Sequence, residues 1–303
     1  MQVPFKLLTF AGMLAVVFSS ILMASDSPSN PDETAEWSQE RATWRHMVTS
    51  AFQSGPSLVE VLLPDDYDEN KEYRVLYLLP VETGEGRRFG DGMKVARSLG
   101  LHNRYDLIVV APTFDVMPWF GNHATDPQIR QEDHMVDTVV PFIDSHYSTT
   151  GRTEGRFLLG YSKSGWGALT LILRNSEVFG YAASWDAPLM FTEAQFGAWG
   201  TADNFGTAEA MAAFLPSELI CKRAEPFKDR TRLVVTGLNK FGTLADRRFP
   251  YDGPSHTEAF HERATACGVA HVFDAGIKAN HSWNPKWIRP VVDRLMQLAE
   301  EGE

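Results

Sequence analysis

One stretch near the middle of the chain, residues 157–167, constrains the fold more than any other. It begins with the apolar run Phe157-Leu158-Leu159, continues through Gly160-Tyr161-Ser162-Lys163-Ser164, and ends in Gly165-Trp166-Gly167. An apolar strand that ends in Gly-x-Ser and passes at once into a helix is the pattern of a nucleophile elbow. Small neighbours are needed there because strand and helix come close at the sharp turn. The stretch therefore predicts Ser162 as a nucleophile.

The elbow pattern has one departure and one competing interpretation. The second small position, where Gly is the usual residue, is Ser164. Serine is small enough for the turn, although the pattern G-x-S-x-S is less specific than G-x-S-x-G. The competing interpretation is a Gly- and Ser-rich turn between strand and helix that carries no chemistry.

The apolar pattern along the rest of the chain predicts strands that alternate with helices. Short uninterrupted apolar runs, typical of strands buried on both faces, occur at residues 73–79, 107–111, 157–160, 181–185, 232–236 and 269–273. Helical patterns lie between them, and residues 47–52 and 58–63 form a predicted antiparallel hairpin. The expected fold class is α/β, with a mostly parallel central sheet, an N-terminal antiparallel hairpin and helices on both faces. With the elbow, this order predicts the α/β-hydrolase fold.

A serine nucleophile needs a base, which is nearly always a histidine that follows it in this fold. The histidines after Ser162 are His256, His261, His271 and His281. The first two fall in a predicted helix and His271 begins a strand. Only His281 falls in a loop between the last strand and the last helix, and it is therefore the predicted base.

The acid that would orient the base is less well defined by the sequence. The expected place is the loop at residues 237–252, after the strand at 232–236, where Asp246 and Asp252 are the only carboxylates. Asp246 is the predicted acid and Asp252 the alternative. A site without the acid is also compatible with the sequence.

The N-terminus predicts export. One basic residue, Lys6, precedes an uncharged apolar run that ends in small residues near Ala24. Residues 1–24 are the predicted signal peptide, 25–40 a flexible linker, and 41–303 a single catalytic domain. The alternative is an uncleaved membrane anchor, because the apolar run approaches the length that spans a bilayer. After cleavage no stable membrane insertion is expected.

Charge and cysteine content limit the partners of the chain. The net charge of −11 argues against nucleic acid or an anionic membrane as the main partner. Export would allow Cys221 and Cys267 to form a disulfide, but sequence does not supply the distance between them. No ligand pair at short spacing points to a metal, and no cofactor is implied.

Four segments of the chain resemble a known family, and they extend across almost the whole predicted domain. They are the pair of runs 61–67 and 73–79, the run Pro118-Trp119-Phe120-Gly121-Asn122-His123, the elbow with its trailing Gly167-Ala168-Leu169, and His281-Ser282-Trp283. Together they resemble the putative esterase, or esterase D-like, branch of the α/β-hydrolases. That branch includes feruloyl and acetyl-xylan esterases, S-formylglutathione hydrolases and mycolyltransferases.

The resemblance implies roles for particular residues. Ser162 is the implied nucleophile and His281 the implied base, while the backbone N–H groups of Lys163 and Glu82 form the implied oxyanion hole. Glu82 follows Pro80-Val81, where the family carries a His-Gly-like pair. A second departure is Lys240, which stands where family members carry the triad aspartate.

The sequence thus predicts an exported serine esterase that acts through an acyl-enzyme on a small-molecule or carbohydrate-linked ester. The two departures leave open a catalytically weakened pseudo-hydrolase that acts as a binding protein. An acyltransferase would use the same site.

Overall fold

A nine-stranded sheet organises the part of the chain that the computed structural model describes, residues 35–237 and 253–302. The strand order is β1-β2-β3-β5-β4-β6-β7-β8-β9. The strands are β1 Glu36–Ser38, β2 Thr43–Val48, β3 Ser57–Leu62, β4 Arg74–Leu78, β5 Leu107–Pro112, β6 Arg156–Tyr161, β7 Tyr181–Trp185, β8 Leu233–Thr236 and β9 His271–Asp274.

The pairing of neighbouring strands changes once along the width of the sheet, from antiparallel to parallel. Strands β1, β2, β3 and β5 pair antiparallel with their neighbours, whereas β5, β4, β6, β7, β8 and β9 pair parallel. The predicted hairpin is present as β2 and β3, with Val48 opposite Ser57, but its first strand spans residues 43–48 rather than the predicted 47–52. The mostly parallel sheet with antiparallel N-terminal strands is therefore confirmed.

Helices cover both faces of the parallel strands, as their apolar composition requires. In β4, Leu76 and Leu78 pack in one cluster with the last helix, while Val75 and Tyr77 pack in a second cluster on the opposite face. The helices are α1 Gly92–Ser98, α2 Leu101–Arg104, α3 Gln131–His134, α4 Val140–His146, α5 Ser162–Arg174, α6 Thr201–Phe205, α7 Ala208–Ala212, α8 Pro216–Lys222, α9 Gly253–Ala266 and α10 Pro285–Glu301. A π-helical turn at Met135–Val139 joins α3 to α4.

The segment between β7 and β8 contains no strand and holds its own aromatic cluster. Its helices α6, α7 and α8 enclose Phe191, Phe205 and Phe214, which pack with Trp119 and Trp166. A disulfide joins Cys221 in α8 to Cys267 just after α9, with a Cα–Cα distance of 5.2 Å. The bridge ties this segment to the helix that leads into β9, and it answers the pairing question that the sequence left open.

The structure covers only part of the N-terminal region for which a signal peptide and a linker are predicted. The predicted signal peptide, residues 1–24, lies outside the described residues, as does most of the predicted linker. The end of that linker, residues 36–38, is already strand β1, because Trp37 packs on Trp44 of β2 with 5.0 Å between ring centroids. Of the helices in residues 35–237 and 253–302, none has the length and apolar character to cross a membrane.

Candidate active site

Ser162 occupies a strained turn between β6 and α5. The strand ends at Tyr161, the helix begins at Ser162, and Ser162 has a φ of 52°. This left-handed conformation is unfavourable for a residue with a side chain and persists where the surrounding structure enforces it. The strand, sharp turn and helix are the context that a nucleophile elbow requires.

Close packing explains the small residues around the turn. A Cβ on Gly160 would lie 2.1 Å from the main-chain oxygen of Ser164, and a Cβ on Gly165 would lie 2.7 Å from Ser184 Oγ. Neither position has room for a side chain. Ser164, the departure from the usual glycine, is fully buried, and its hydroxyl accepts from Tyr161 N at 3.1 Å and donates to Tyr161 O at 3.0 Å. Serine at position 164 therefore holds Tyr161, the residue before Ser162, through these two hydrogen bonds.

His281 lies beside this turn. It follows β9 and precedes α10, as the sequence predicted, and its ring centroid is 5.3 Å from that of Tyr161. Its Nδ1 lies 2.6 Å from Asp186 Oδ2, a distance typical of a charge-assisted hydrogen bond. Because a carboxylate only accepts hydrogen bonds, Nδ1 carries the proton and Nε2 is the basic nitrogen.

Asp186 is the carboxylate that sequence reasoning missed. It directly follows β7, and the parallel register pairs Trp185 with Tyr161, so Asp186 and Ser162 leave adjacent strands at the same level. Asp186 is fully buried and has a φ of 49°. Its Oδ1 has no hydrogen-bond partner among the described residues. Two strained residues thus stand side by side at the carboxyl edge of the sheet.

The two predicted acids are not among the residues that the structure describes. Asp246 and Asp252 both fall within residues 238–252, outside the described ranges. A signal for Asp186 was present in the sequence, since it is the first residue after the apolar run at 181–185. Carboxyl ends of neighbouring parallel strands meet at one edge, so an acid after β7 falls beside a nucleophile after β6.

The two implied oxyanion residues leave another pair of adjacent parallel strands. Leu78 of β4 pairs with Leu159 of β6, and Leu79 N donates to Leu159 O at 2.9 Å. Glu82 and Ser162 therefore each lie three residues beyond this bonded pair. The carboxylate of Glu82 accepts from Phe89 N at 3.3 Å, so it is held by the loop at residues 83–91.

That loop connects the elbow to the histidine segment. Phe89 O accepts from the Tyr161 hydroxyl at 3.2 Å and from Trp283 N at 2.8 Å. Trp283 closes over Gly92, where an added Cβ would lie 2.9 Å from the indole ring. Phe89, whose N–H donates to Glu82, thus also bonds through its main-chain oxygen to Tyr161 and to Trp283. Tyr161 precedes Ser162, and Trp283 lies two residues after His281.

Charged side chains near Ser162 act in opposite directions on the pKa of the Lys163 side chain. Burial lowers the pKa of the Lys163 side chain, the nearby charge of Arg88 lowers it further, and the charge of Glu82 opposes both. Within residues 35–237 and 253–302, no group of three or more His, Cys, Asp or Glu side chains is arranged to hold a metal ion.

Comparison with known proteins places the chain in a family. The model of the family described as "Putative esterase" matches residues 49–298. The chain belongs to the Putative esterase family. The resemblance found in the four sequence segments is therefore confirmed.

This Putative esterase family member has curated relatives in Mycobacterium tuberculosis. It is 24% identical over 285 residues to Esterase Rv1288 of strain ATCC 25618 / H37Rv, with 84% of the chain and 59% of the relative covered. The same values hold for Esterase MT1326 of strain CDC 1551 / Oshkosh. The chain thus spans about 59% of the length of the curated relatives that it matches.

Solved structures similar to this Putative esterase family member share its fold. A ferulic acid esterase has a TM-score of 0.61 at 16% identity, with 85% of this chain and 96% of that chain covered. MPT51 (FbpC1) of Mycobacterium tuberculosis has a TM-score of 0.63 at 14% identity, covering 85% and 98%. S-formylglutathione hydrolase (FrmB) of Staphylococcus aureus has 0.61 at 14%, covering 85% and 97%. The predicted α/β-hydrolase fold is confirmed.

Proposed function

We propose that this protein is a serine esterase that hydrolyses carboxylic esters through an acyl-enzyme formed on Ser162. The observation that carries the proposal is the strained Ser162 beside the His281–Asp186 pair, with all three residues at the carboxyl edge of one sheet. Membership of the Putative esterase family supports the same class of reaction. The substrate is a small-molecule or carbohydrate-linked ester.

His281 acts first as base and then as acid. Its Nε2 takes the proton of the Ser162 hydroxyl as Oγ attacks the ester carbonyl carbon, and it returns that proton to the departing alcohol. Water then attacks the acyl-enzyme with His281 again as base, which releases the carboxylic acid and restores Ser162. No cofactor takes part in these steps.

Asp186 orients His281 during both half-reactions. Its Oδ2 accepts the Nδ1 proton, which keeps Nε2 unprotonated, and its buried charge stabilises the imidazolium that forms. We assign this role to Asp186 rather than to Asp246 or Asp252. Those two acids serve as comparison positions in the experiments below.

The N–H groups of Lys163 and Glu82 stabilise the negative oxygen of the tetrahedral intermediate. Each such donor is worth about 100- to 1000-fold in rate. The Glu82 carboxylate would oppose a developing oxyanion if it pointed toward it. Its hydrogen bond to Phe89 N directs it to the loop instead, and the Lys163 cation offsets its charge.

Turnover of p-nitrophenyl acetate by wild type and by Ser162→Ala tests the proposal. Ser162→Ala should lower kcat by about 10⁴- to 10⁶-fold, because the nucleophile is lost while binding groups remain. Thr170→Ala is a matched control, since it removes a buried hydroxyl of the same helix that bonds to Phe214 O. It should keep near wild-type activity.

Two other outcomes would replace the proposal. A folded wild-type protein without Ser162-dependent turnover would indicate a pseudo-hydrolase that acts as a binding protein. Acyl transfer to an added alcohol in preference to water would indicate an acyltransferase that uses the same site.

We also propose that the protein is exported, with residues 1–24 removed. The apolar leader after Lys6 supports this. The Cys221–Cys267 disulfide also supports it, because such bonds persist in oxidising compartments. N-terminal sequencing of protein recovered outside the cytoplasm should begin near Ser25, and an intact Met1 on membrane-bound protein would contradict cleavage.

A further inference from the structure

Arg41 joins the N-terminal strands to the loop at residues 83–91. It lies in the turn between β1 and β2, and its side chain is only 12% exposed. Its guanidinium donates to both carboxylate oxygens of Glu60 in β3, with Nη2 2.8 Å from Oε2. It also donates to both oxygens of Asp91, the last residue of the loop, at 2.7 and 3.2 Å. We call these contacts of Arg41 with Glu60 and Asp91 the Arg41 clamp.

Both acids of the clamp are held by further hydrogen bonds. Glu60 Oε1 accepts from the hydroxyl of Thr43 at 2.6 Å. Asp91 is the N-cap of α1, and its Oδ1 accepts from Lys94 N at 3.0 Å. An arginine that bonds to both oxygens of a carboxylate fixes direction as well as distance. The clamp therefore fixes the end of the loop relative to β3.

The loop itself has few other contacts with the sheet. The side chains of residues 83–88 are exposed. A cavity of about 70 Å³ lies between the loop and the end of β4, and its lining includes Val81, Gly84 and Asp91. Near the start of the loop, Gly84 N donates to Phe114 O at 2.9 Å. An exposed segment beside a cavity has few buried apolar contacts to hold it, so its position depends on polar contacts such as the clamp.

A shift of the loop would reach the groups that surround Ser162. Phe89, two residues before Asp91, donates to the Glu82 carboxylate and accepts from the Tyr161 hydroxyl and from Trp283 N. Glu82 carries one of the two N–H groups proposed for the oxyanion hole. A displacement of about 1 Å at such a group can lower a rate about 100-fold.

We propose that Arg41 is a positioning residue for ester hydrolysis. By holding Asp91 against β3, it sets the place of Phe89 and, through Phe89, that of the Glu82 N–H. Arg41 acts through the loop and not on the substrate. This inference rests on the proposed function, and it assigns part of the geometry of the site to the N-terminal strands.

Steady-state kinetics of Arg41→Met with p-nitrophenyl acetate test the inference. The substitution should lower kcat by about 100-fold, because the Glu82 N–H is displaced. The value of kcat/KM should fall by a similar factor, since the oxyanion contact is made in the transition state and not with the bound ester.

Arg156→Met is the matched control. Arg156 is also a mostly buried arginine, 11% exposed, and its Nη2 lies 2.5 Å from Asp144 Oδ2. It begins β6, at the edge of the sheet opposite Ser162. Both substitutions leave a carboxylate without its arginine, so both should lower the free energy of unfolding measured in urea. Only Arg41→Met should lower kcat.

Two further variants separate positioning from a general loss of stability. Arg41→Lys keeps a cation between the two acids but loses the planar fork, so its kcat should lie between those of wild type and Arg41→Met. Asp91→Asn is the milder change, because asparagine still caps α1 while its ion pair with Arg41 is lost. It should lower kcat about tenfold, and it provides the test if Arg41→Met does not fold. The double variant should be no slower than Arg41→Met, because both changes break one contact.

Folded Arg41→Met and Asp91→Asn proteins with near wild-type kcat would overturn the inference. An equal fall of kcat in Arg156→Met would also overturn it, because the effect would then follow from lost stability alone. In both cases Ser162-dependent turnover by wild type would leave the proposed function in place. Absence of that turnover in wild type would overturn both the function and the inference.

Discussion

Two histidines with hydrogen-bonded ring nitrogens occupy opposite kinds of environment in this molecule. His134, the last residue of α3, is fully buried, with Nδ1 2.9 Å from Ser50 Oγ and Nε2 3.1 Å from Ser57 Oγ. His281, at the carboxyl edge, keeps 29% of its side chain exposed and bonds to a buried carboxylate. One is enclosed by neutral hydroxyls, and the other is open and paired with a charge.

We interpret the difference as that between a structural histidine and the proposed catalytic base. A hydroxyl donates or accepts as needed, so a neutral His134 is fully satisfied and has no reason to react. Around His281 the satisfaction is incomplete, because Asp186 Oδ1 lacks a partner among the described residues and Asp186 has a positive φ, as does Ser162. Strain and unsatisfied polar groups that gather at one edge mark that edge as functional.

The largest expected effect concerns His281 and its charged partner, Asp186. Asp186→Asn should lower kcat by about 10⁴-fold, because the amide no longer fixes the His281 tautomer or stabilises its cation. KM should change little, since Asp186 is fully buried and bonds to His281. Steady-state kinetics with p-nitrophenyl acetate measure both values.

Asp246→Asn and Asp252→Asn are the controls for this assignment. Each should keep kcat within a few-fold of wild type if Asp186 orients His281. A loss of about 10⁴-fold in Asp246→Asn or Asp252→Asn, with Asp186→Asn near wild type, would move the role to the loop that the sequence first suggested.

The smaller expected effect concerns His134, the histidine enclosed by neutral hydroxyls. Burial lowers the pKa of His134 from 6.5 to about 4, while the charge of Asp115 opposes that shift. The unfolded chain therefore takes up the proton first, and the free energy of unfolding falls as the pH drops from 6.5 toward 4. This residue alone should account for a loss of about 3 kcal/mol by pH 4.

Urea unfolding of wild type and His134→Gln at pH 7 and pH 4 measures this loss. Glutamine does not titrate, so the advantage of wild type over the variant should shrink by about 3 kcal/mol at the lower pH. An advantage that stays constant between the two pH values would show that His134 is not held neutral by burial.

The sequence predicted the parts of this site that depend on local signals. Ser162 follows from an apolar strand, small residues and a helix, which are contiguous in the chain, and the structure gives it the strained turn that this pattern indicates. His281 follows from chain order, because only one downstream histidine falls between the last strand and the last helix. The central sheet follows from apolar runs long enough to be buried on both faces.

The remaining parts depend on distances that no local pattern contains. Asp186 was overlooked because the acid was sought after β8, whereas the register of β6 and β7 sets an acid after β7 beside Ser162. The fit of Ser164 in place of the usual glycine depends on its hydroxyl, which forms hydrogen bonds with the main chain of Tyr161. The disulfide depends on the approach of α8 to the end of α9, which tertiary packing decides.

Labelling by a fluorophosphonate probe tests the central claim most directly, because the probe phosphonylates an activated serine without regard to the preferred ester. Wild-type protein should gain the mass of one probe molecule less the hydrogen fluoride that leaves, located by peptide mass spectrometry to Ser162. Ser162→Ala should gain none, and Asp186→Asn should label far more slowly. Folded wild-type protein that resists the probe, or labelling that maps to another serine, would contradict the assignment of Ser162 as the nucleophile.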